Sequence, residues 1–346
     1  MSGSATAIAK AFATTASLAS LLLMLTACSG EQAVLAPRGP AGDVLARFSW
    51  QLFAGGAAIF TGTMAMFAVG IFMPERTKGI APIKLIIYGG VVFPIVVLTT
   101  LSVYTAFVGN WINLGRNAVA NGVQPLRVNV DGVMWWWEVE YPQADGSTIK
   151  SANEIHVPIG KPVEIHLTTR DVIHSFWVPT LHGKMDLIPG RTNKITIQMD
   201  QPGAVRGQCA EFCGLQHTLM AFWVVAHPPD EFDAWVEAQR RPAAEPDTPE
   251  LVRGRDAFLT SGCGSCHRIS GLEEGDAKAS GEIGPDLTHI GSRLSLGAAT
   301  LPNGVGPLSG WIAGSQRMKP GNRMPSYHHL DSDTLTALAG YLESLK

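Results

Sequence analysis

The segment GQCAEFCGLQHTLMAFW, residues 207–223, decides how the rest of the chain is interpreted. Cys209, Cys213 and His217 follow one another at intervals of four residues, and Met220 comes three residues later. Two thiols, an imidazole and a thioether this close together fit a disulfide loop, a zinc site, a redox thiol pair or a copper site. Spacing alone does not separate these possibilities.

A disulfide between Cys209 and Cys213 would leave His217 and Met220 without a role. Zinc would bind both cysteines, His217 and a distant histidine, but zinc has no use for a thioether. A nearby methionine is typical of soft copper sites, and two thiolates exceed what a single copper ion needs. The segment therefore favours a pair of bridged copper ions, with the disulfide and zinc sites as alternatives.

The composition restricts the class of protein. The chain has 346 residues, of which 46% are hydrophobic and 16% charged. Charged residues usually make up about a quarter of a soluble protein, so the shortfall indicates membrane-embedded stretches. A formal net charge of -3 argues against a nucleic-acid-binding protein.

The first 27 residues are typical of an export signal. Lys10 precedes a small and apolar run that ends in LTAC, residues 25–28. This ending resembles the lipobox of bacterial lipoproteins, in which Cys28 is acylated. An ordinary signal peptide, or a first membrane helix with a chance cysteine, is the alternative. Removal of residues 1–27 would change the formal net charge from -3 to -4.

Two uncharged runs, at 52–73 and 85–108, predict a transmembrane hairpin within residues 45–115. Each run is long enough to cross a hydrocarbon core of about 30 Å. The loop between them is rich in basic residues, which places it in the cytoplasm and everything after the second run on the outer side. A simple anchor is the alternative to packing against a larger membrane partner.

Residues 120–238 consist of short alternating segments separated by proline, glycine and aspartate. In VEIHL, residues 163–167, every second residue is apolar, as in a half-buried strand. Several such strands predict a Greek-key β-sandwich. A polar linker at 239–250 follows, and residues 251–346 have helical character.

The CGSCH motif that begins at Cys263 is the attachment sequence for c-type haem. Cys263 and Cys266 would bind the vinyl groups, and His267 would be one axial ligand. The other axial ligand should be a methionine further along the chain. Met324 is preferred over Met318, because its Met-Pro pair followed by an aromatic residue resembles the ligand loop of class I cytochromes c.

Three segments in this order resemble signatures of subunit II of the haem–copper cytochrome c oxidases: DVIHSFWVP (171–179), GKMDLIPGRTN (183–193) and CAEFCGLQHTLM (209–220). The resemblance covers about residues 45–235. It implies a cupredoxin-like β-sandwich behind a two-helix transmembrane hairpin. The C-terminal part resembles an all-α class I cytochrome c domain, and this fusion is known in one branch of the oxidases.

The resemblance also implies the cofactors. The family carries a dinuclear copper centre, CuA, whose bridging thiolates let two copper ions share one electron. The ligands carried over are His174, Cys209, Cys213, His217, Met220 and the backbone carbonyl of Glu211. In the family, the carboxylate of this glutamate also helps to bind magnesium at the contact with subunit I.

The segment MWWWEVEY, residues 134–141, resembles the family's aromatic patch over the copper site. Trp135 would receive electrons there from a cytochrome, with Trp136 beside it in a position where many members have tyrosine. The alternative is a core aromatic cluster, because Trp137 and Tyr141 share one face of the strand.

These features predict the electron-input subunit of a proton-pumping cytochrome c oxidase in the bacterial plasma membrane. A cytochrome c or an upstream respiratory complex would donate the electrons, and oxygen would be reduced in subunit I. The other expected partners are further oxidase subunits and membrane lipid. The alternatives are the electron-input subunit of a CuA-containing nitric oxide reductase and a free-standing membrane-anchored electron-transfer protein.

Two further positions bear on this prediction. Glu138 and Glu140 are candidates for orienting a basic cytochrome, or they are ordinary solvated strand residues. Ile87 stands where many relatives have a glutamate at the mouth of a proton channel, which puts proton uptake through this subunit in doubt.

Overall fold

A computed structural model describes residues 30–79, 81–274 and 277–346. They form an N-terminal helical hairpin, a two-sheet β-sandwich and a mainly helical C-terminal domain, which confirms the predicted fold class. The predicted acylation site, Cys28, lies outside the described residues.

The hairpin contains two helical stretches that are long and apolar enough to cross a membrane, Pro40–Phe72 and Pro82–Ile112. Its elements are α1 (Pro40–Phe72), α2 (Pro74–Thr77), α3 (Pro82–Leu85), a π-helical stretch (Ile86–Val92), α4 (Phe93–Ile112) and α5 (Leu114–Ala120). The π-helical stretch ends two residues before Pro94, which has no N–H to donate to the preceding turn.

Helix α1 begins well before the uncharged run at 52–73 and packs its first turns against the sandwich. A side chain at Gly42 would lie 2.4 Å from the carbonyl oxygen of Thr180, so only glycine permits this approach. The amide of Arg38 donates to the same carbonyl at 2.9 Å. The membrane hairpin is therefore joined directly to the sandwich.

The sandwich consists of two five-stranded sheets. Its strands are β1 (Leu126–Val133), β2 (Trp136–Pro142), β3 (Thr148–Ala152), β4 (Glu154–Pro158), β5 (Val163–Thr169), β6 (His174–Trp177), β7 (Met185–Leu187), β8 (Asn193–Ile197), β9 (Gly203–Cys209) and β10 (Ala221–His227). The first sheet has the order β3-β2-β1-β5-β8 and the second the order β4-β10-β9-β6-β7. Along β5 the buried residues alternate with half-buried ones, as the sequence predicts.

Aromatic side chains fill the space between the sheets. The Trp137 ring lies 6.1 Å from that of Phe176 and 5.0 Å from that of Phe222. Trp137 and Tyr141 are 0% and 1% exposed. These two residues are therefore core aromatics, whereas Trp135 and Trp136 lie where the β1–β2 turn meets β2.

Helix α6 (Pro229–Gln239) still packs on the sandwich, because Trp235 lies 5.2 Å from the ring of Tyr141. The C-terminal domain then contains α7 (Pro249–Thr260), β11 (Arg268–Glu274), β12 (Ala277–Ser280), β13 (Ser295–Leu296), β14 (Leu301–Pro302), α8 (Val305–Met318) and α9 (Ser332–Ser344). Burial of Phe258 on α7 and of Leu338 and Tyr341 on α9 forms its core.

Candidate copper and haem sites

The loop between β9 and β10 carries most of the predicted copper ligands. Cys209 is the last residue of β9 and Met220 directly precedes β10. The amide of Cys209 donates to the carbonyl of Met220 at 2.9 Å, which closes the loop at its base. Strand β6 pairs with β9 by placing Phe176 opposite Cys209, so His174, at the start of β6, lies beside the loop.

The two thiols lie at the centre of this cluster. The Cys209 and Cys213 sulfur atoms are 3.8 Å apart, whereas a disulfide requires about 2.05 Å. The Cys213 sulfur lies 3.6 Å from His217 Nδ1 and 3.8 Å from the Met220 sulfur. The arrangement fits ligands that converge on a shared metal centre better than a disulfide loop.

The Cys209 sulfur completes the cluster on the other side. It lies 3.9 Å from His174 Nδ1 and 3.2 Å from the carbonyl oxygen of Glu211. The ligand atoms of His174, Cys209 and Cys213 all lie within 4.8 Å of one another. Soft sulfur and imidazole donors around two thiols suit a pair of copper ions.

Most of this cluster is shielded from water, but one side reaches the surface. His174 is fully buried, and Cys209, Cys213 and Met220 are 4%, 3% and 1% exposed. His217 is half-buried beside the exposed side chain of Phe212, whose ring centroid lies 5.8 Å away. Electrostatic interactions at the buried cluster are therefore strengthened by a low local dielectric constant.

Asp171 orients the buried histidine. Its Oδ1 lies 2.9 Å from Nε2 of His174, which leaves Nδ1 directed toward Cys209. Metal-binding histidines commonly donate their second ring N–H to such a carboxylate. A side chain at Gly132 would lie 2.8 Å from the His174 ring, so the absence of a Cβ there makes room for it.

The charges around the cluster favour metal binding. Burial opposes the ionisation of Asp171, but hydrogen bonds from the Met134 amide and the His174 ring outweigh it and lower the pKa of the carboxyl group. A hydrogen bond from the Cys213 thiol lowers the pKa of Cys209, and the same contact raises the pKa of Cys213. Binding of a divalent or softer metal would remove the remaining thiol proton.

Glu211 faces two directions. Its backbone carbonyl contacts the Cys209 sulfur, and its carboxylate lies 3.7 Å from Nζ of Lys184 with 44% of the side chain exposed. The carboxylate is thus available at the surface to a ligand outside the copper cluster.

The C-terminal domain contains a cavity of about 480 Å³ lined by Cys263, Cys266, His267 and Met324. His267 donates from Nδ1 to the carbonyl of Pro285 at 2.8 Å, which leaves Nε2 free to bind a metal. Burial lowers the pKa of His267 and so favours the neutral ring that a metal requires. The residues present fit a covalently attached haem.

Gly284 and the loop around Met324 support this cavity. A side chain at Gly284 would lie 2.5 Å from the His267 ring. The Met324 carbonyl accepts hydrogen bonds from Ser315 Oγ at 2.8 Å and Gln316 Nε2 at 2.7 Å, while the Met318 terminal methyl lies beside Gly310. Met324 lines the cavity, and Met318 is absent from its described lining.

Trp135 belongs to both sites. Its side chain lines the haem cavity, as does that of Trp136. The Trp135 indole N–H donates to the carbonyl of Cys213 at 2.8 Å. One aromatic ring therefore joins the C-terminal cavity to the loop that carries the thiols.

The C-terminal domain is docked on the sandwich. Gln216 Nε2 donates to the carbonyl of Pro320 at 2.7 Å, and Arg206 Nη1 to that of Ala299 at 3.1 Å. The amide of Leu294 donates to the buried carboxylate of Glu154 at 2.6 Å. These contacts join residues that are more than 90 positions apart in the chain.

The two acidic candidates on β2 are paired within the chain. Glu138 forms an ion pair with Arg170, and Lys150 lies 3.9 Å from Glu138 and 3.6 Å from Glu140. Their charges are therefore largely balanced locally, which favours the reading of Glu138 and Glu140 as strand residues of a charged sheet face.

A thiol, imidazole and thioether cluster on a membrane-anchored sandwich, next to a CxxCH cavity, defines an electron-transfer protein with two redox sites. Residues 128–227 match the family described as Cytochrome C oxidase subunit II, periplasmic domain, and residues 251–346 match Cytochrome c.

Curated relatives extend this match to nearly the whole chain. The chain is 33% identical over 339 residues to "Cytochrome c oxidase subunit 2" of Alkalihalophilus pseudofirmus, covering 95% of this chain and 96% of the relative. It is 31% identical over 283 residues to the protein of the same name from Bacillus sp. (strain PS3), covering 79% and 77%. The chain belongs to the cytochrome c oxidase subunit 2 family and carries a fused cytochrome c domain, as predicted.

Among solved structures, the crystal structure of the periplasmic domain of subunit II of cytochrome oxidase of Bradyrhizobium japonicum is similar. It shares 31% sequence identity, covers 33% of this chain and 93% of its own, and has a TM-score of 0.32. The family match, the curated relatives and the two apolar helices identify the chain as a membrane-anchored subunit of a haem–copper oxidoreductase, with a sandwich that corresponds to a periplasmic domain.

Proposed function

We propose that this chain is the electron-input subunit of a cytochrome c oxidase in the bacterial plasma membrane, and that electrons cross from the haem cavity to the copper-binding loop beside Trp135. The observation that carries the proposal is the double contact of Trp135, which lines the cavity and donates a hydrogen bond to the Cys213 carbonyl at 2.8 Å.

Two sets of residues would hold the cofactors. Cys263 and Cys266 would attach haem c, and His267 and Met324 would bind its iron. The CuA ligands would be His174, Cys209, Cys213, His217, Met220 and the Glu211 carbonyl. When bound, these groups would each accept and release one electron without forming bonds to a substrate.

The protein's contribution is rigidity and exclusion of water. Cys209, Cys213 and Met220 lie within the sandwich core, and Asp171 holds the His174 ring in one orientation. Ligands fixed by packing and hydrogen bonds move little when the charge of a bound metal changes. This rigidity favours fast electron transfer with little rearrangement of the ligands.

Electrons would leave the copper-binding loop at the surface around His217. Phe212 and Leu215 are 77% and 68% exposed there, and an apolar surface of this kind suits a protein partner. We infer that subunit I covers it, receives the electrons, reduces oxygen and pumps protons. The Glu211 carboxylate would bind magnesium at that contact, and acylation of Cys28 would add a lipid anchor.

The donor would be a cytochrome c or an upstream respiratory complex. The pairing of Glu138 with Arg170, and of Glu140 with Lys150, leaves little free negative charge on that strand. We therefore assign docking of the donor to the C-terminal domain, which carries the haem cavity.

The test uses the purified complex of this chain with its partner subunits. Oxygen consumption with reduced cytochrome c is expected, and failure to co-purify a haem–copper subunit, or to consume oxygen, would refute the oxidase function. After rapid photoreduction of the haem, a Trp135→Phe variant should pass electrons to copper more slowly than wild type. Trp136→Phe is the matched control, since no contact of Trp136 with the thiol loop is described; equal rates in both variants would refute the route beside Trp135.

A further inference from the structure

Lys319 is a buried cation at the contact between the sandwich and the C-terminal domain. It directly follows α8 and precedes Met324 by five residues. Only 3% of the residue is exposed. None of the ion pairs found in the described ranges includes Lys319, so its charge is not balanced by a carboxylate within 4.0 Å there.

Three backbone carbonyls surround its ammonium group. Nζ lies 3.0 Å from the oxygen of Trp135, 2.9 Å from that of Leu219 and 3.0 Å from that of Gly297. An ammonium has three protons, so each proton has an acceptor. Trp135 and Leu219 belong to the sandwich, whereas Gly297 belongs to the same domain as Lys319.

Two of these carbonyls lie next to the predicted cofactor sites. Leu219 directly precedes the predicted copper ligand Met220, and Trp135 is the residue shared by the two sites. The lysine therefore binds the copper-binding loop, the aromatic side of the haem cavity and its own domain with one group. Its side chain links the two redox sites mechanically.

We propose that Lys319 is the positioning residue that fixes the C-terminal domain in a single orientation over the copper-binding loop. The inference rests on the proposed electron route for its effect on transfer rate, but the docking itself does not depend on that route. Lys319 transfers no electron, and its three hydrogen bonds go to backbone carbonyls and not to predicted ligand side chains.

The physical reason is that a buried ammonium tolerates few orientations. Taking the charge out of water is unfavourable and is offset only when all three N–H groups are hydrogen-bonded. A rotated or shifted domain would leave one or more protons without an acceptor, together with buried carbonyls that have lost their donor. Lys319 thus favours one docked orientation of the domain over slightly rotated or shifted orientations.

Burial lowers the pKa of Lys319 to about 8, so the amine still carries its proton at pH 7.

Other contacts across this boundary are less selective. The ion pair between Lys150 and Glu282 spans 3.3 Å, but the glutamate is 66% exposed, and such pairs are weak and screened by salt. The bonds from Gln216 and Arg206 each use one acceptor. Lys319 alone among these donors binds three carbonyls in both domains.

The experiment measures docking by hydrogen exchange in the purified oxidase complex. The amides of Ala221 and Leu294 donate across the boundary, to Ala298 and Glu154, and report whether the domains stay together. Lys319→Met keeps the apolar stem but loses all three hydrogen bonds. Exchange of these two amides should rise about tenfold or more, because the loss of even one hydrogen bond to a charged group has that effect. The exposed Lys346→Met is the matched control and should leave exchange unchanged.

A second measurement separates positioning from folding. The haem and copper absorption spectra of Lys319→Met should match wild type. The rate of haem-to-copper electron transfer should fall in proportion to the fraction of molecules in which the domains are docked. Unchanged exchange of both amides would overturn the proposal. A third outcome is increased exchange in Lys319→Met together with no electron transfer between the sites in wild type. This outcome would support positioning by Lys319 and refute the proposed route.

If Lys319→Met does not assemble, Lys319→Gln keeps a donor without the charge and takes its place in both measurements. Failure of both variants to bind their cofactors, while Lys346→Met assembles, would overturn the proposal in favour of a role in folding.

Discussion

Replacement of Asp171 by asparagine tests how the copper site is organised. The carboxylate binds the His174 ring at 2.9 Å and the Met134 amide at 2.8 Å, and its side chain is only 12% exposed. Asparagine has the same shape and can still accept one hydrogen bond, but it lacks the negative charge. Asp171→Asn therefore removes the charge while leaving the size of the side chain unchanged.

The expected loss follows from these two contacts. A hydrogen bond to a charged group contributes about 1.5–3 kcal/mol and a neutral one about 0.5–1.5 kcal/mol, so each contact weakens by about 1 kcal/mol. Weakening of the contact to the Met134 amide should lower the free energy of unfolding by about that amount. Loss of the charge beside His174 should weaken copper binding about tenfold, as is typical for such supporting carboxylates.

The lowered pKa of Asp171 also determines how the stability difference changes with pH. The pKa of Asp171 is lowered in the folded protein, so its stabilising effect is present above the ordinary carboxyl pKa. The effect is lost as the pH falls through the lowered value. The stability difference between Asp171→Asn and wild type should therefore be largest near neutral pH and vanish in acid.

Copper titration against a competing chelator, followed by the copper absorption spectrum, measures the affinity. Asp200→Asn, at an exposed position, is the control and should bind copper like wild type. Wild-type affinity in Asp171→Asn would show that the carboxylate does not support the ligand, and a changed haem spectrum would show that the substitution acts on the whole chain.

Four further outcomes are expected. Met324→Leu should alter the haem spectrum and leave the copper signal intact, whereas Met318→Leu should alter neither spectrum; the reverse pattern would refute the axial assignment. Gly132→Ala places a methyl group 2.8 Å from the His174 ring and should cost about 1–3 kcal/mol of unfolding free energy and broaden the copper signal. Asp331→Ala removes the carboxylate that accepts from two amides at the start of α9, and thermal unfolding should show a loss of about 1 kcal/mol. Raising the salt concentration should slow reduction by an external cytochrome without slowing haem-to-copper transfer, because the docking contacts are mainly buried hydrogen bonds; equal slowing would contradict this docking mode.

Features that depend on nearby residues could be predicted from the sequence. The spacing within 209–220 suffices to gather four ligand side chains, because β9 and β10 return the chain to the same place. Alternation in β5 and the uncharged runs likewise predict strands and spans, since they reflect burial along one element. The start of α1 at Pro40 could not be found this way, because hydropathy marks the membrane and not the helix turns that pack on the sandwich.

Features that depend on contacts between distant residues were not predicted from the sequence. Asp171 orients His174 through a loop whose geometry is set by β1 and β6, although the spacing Asp-x-x-His is a signal that could have suggested it. Glu138 looks free in the sequence, and its pairing with Arg170 arises only when β2 and the end of β5 share one sheet face. Lys319 carries no local signal, because its acceptors are contributed by three separate loops.

The docked arrangement also bears on the role of the segment between α6 and α7. The Arg240 side chain donates to Gln143 on the sandwich at 2.7 Å, and the amide of Ala243 donates to Ser270 in the C-terminal domain at 2.9 Å. The first half of the segment is therefore hydrogen-bonded to both domains. A tether already keeps the local concentration of the haem domain high, so fixed contacts at Lys319 and along the segment add orientation more than proximity. Orientation is what a route through a single indole ring, Trp135, requires.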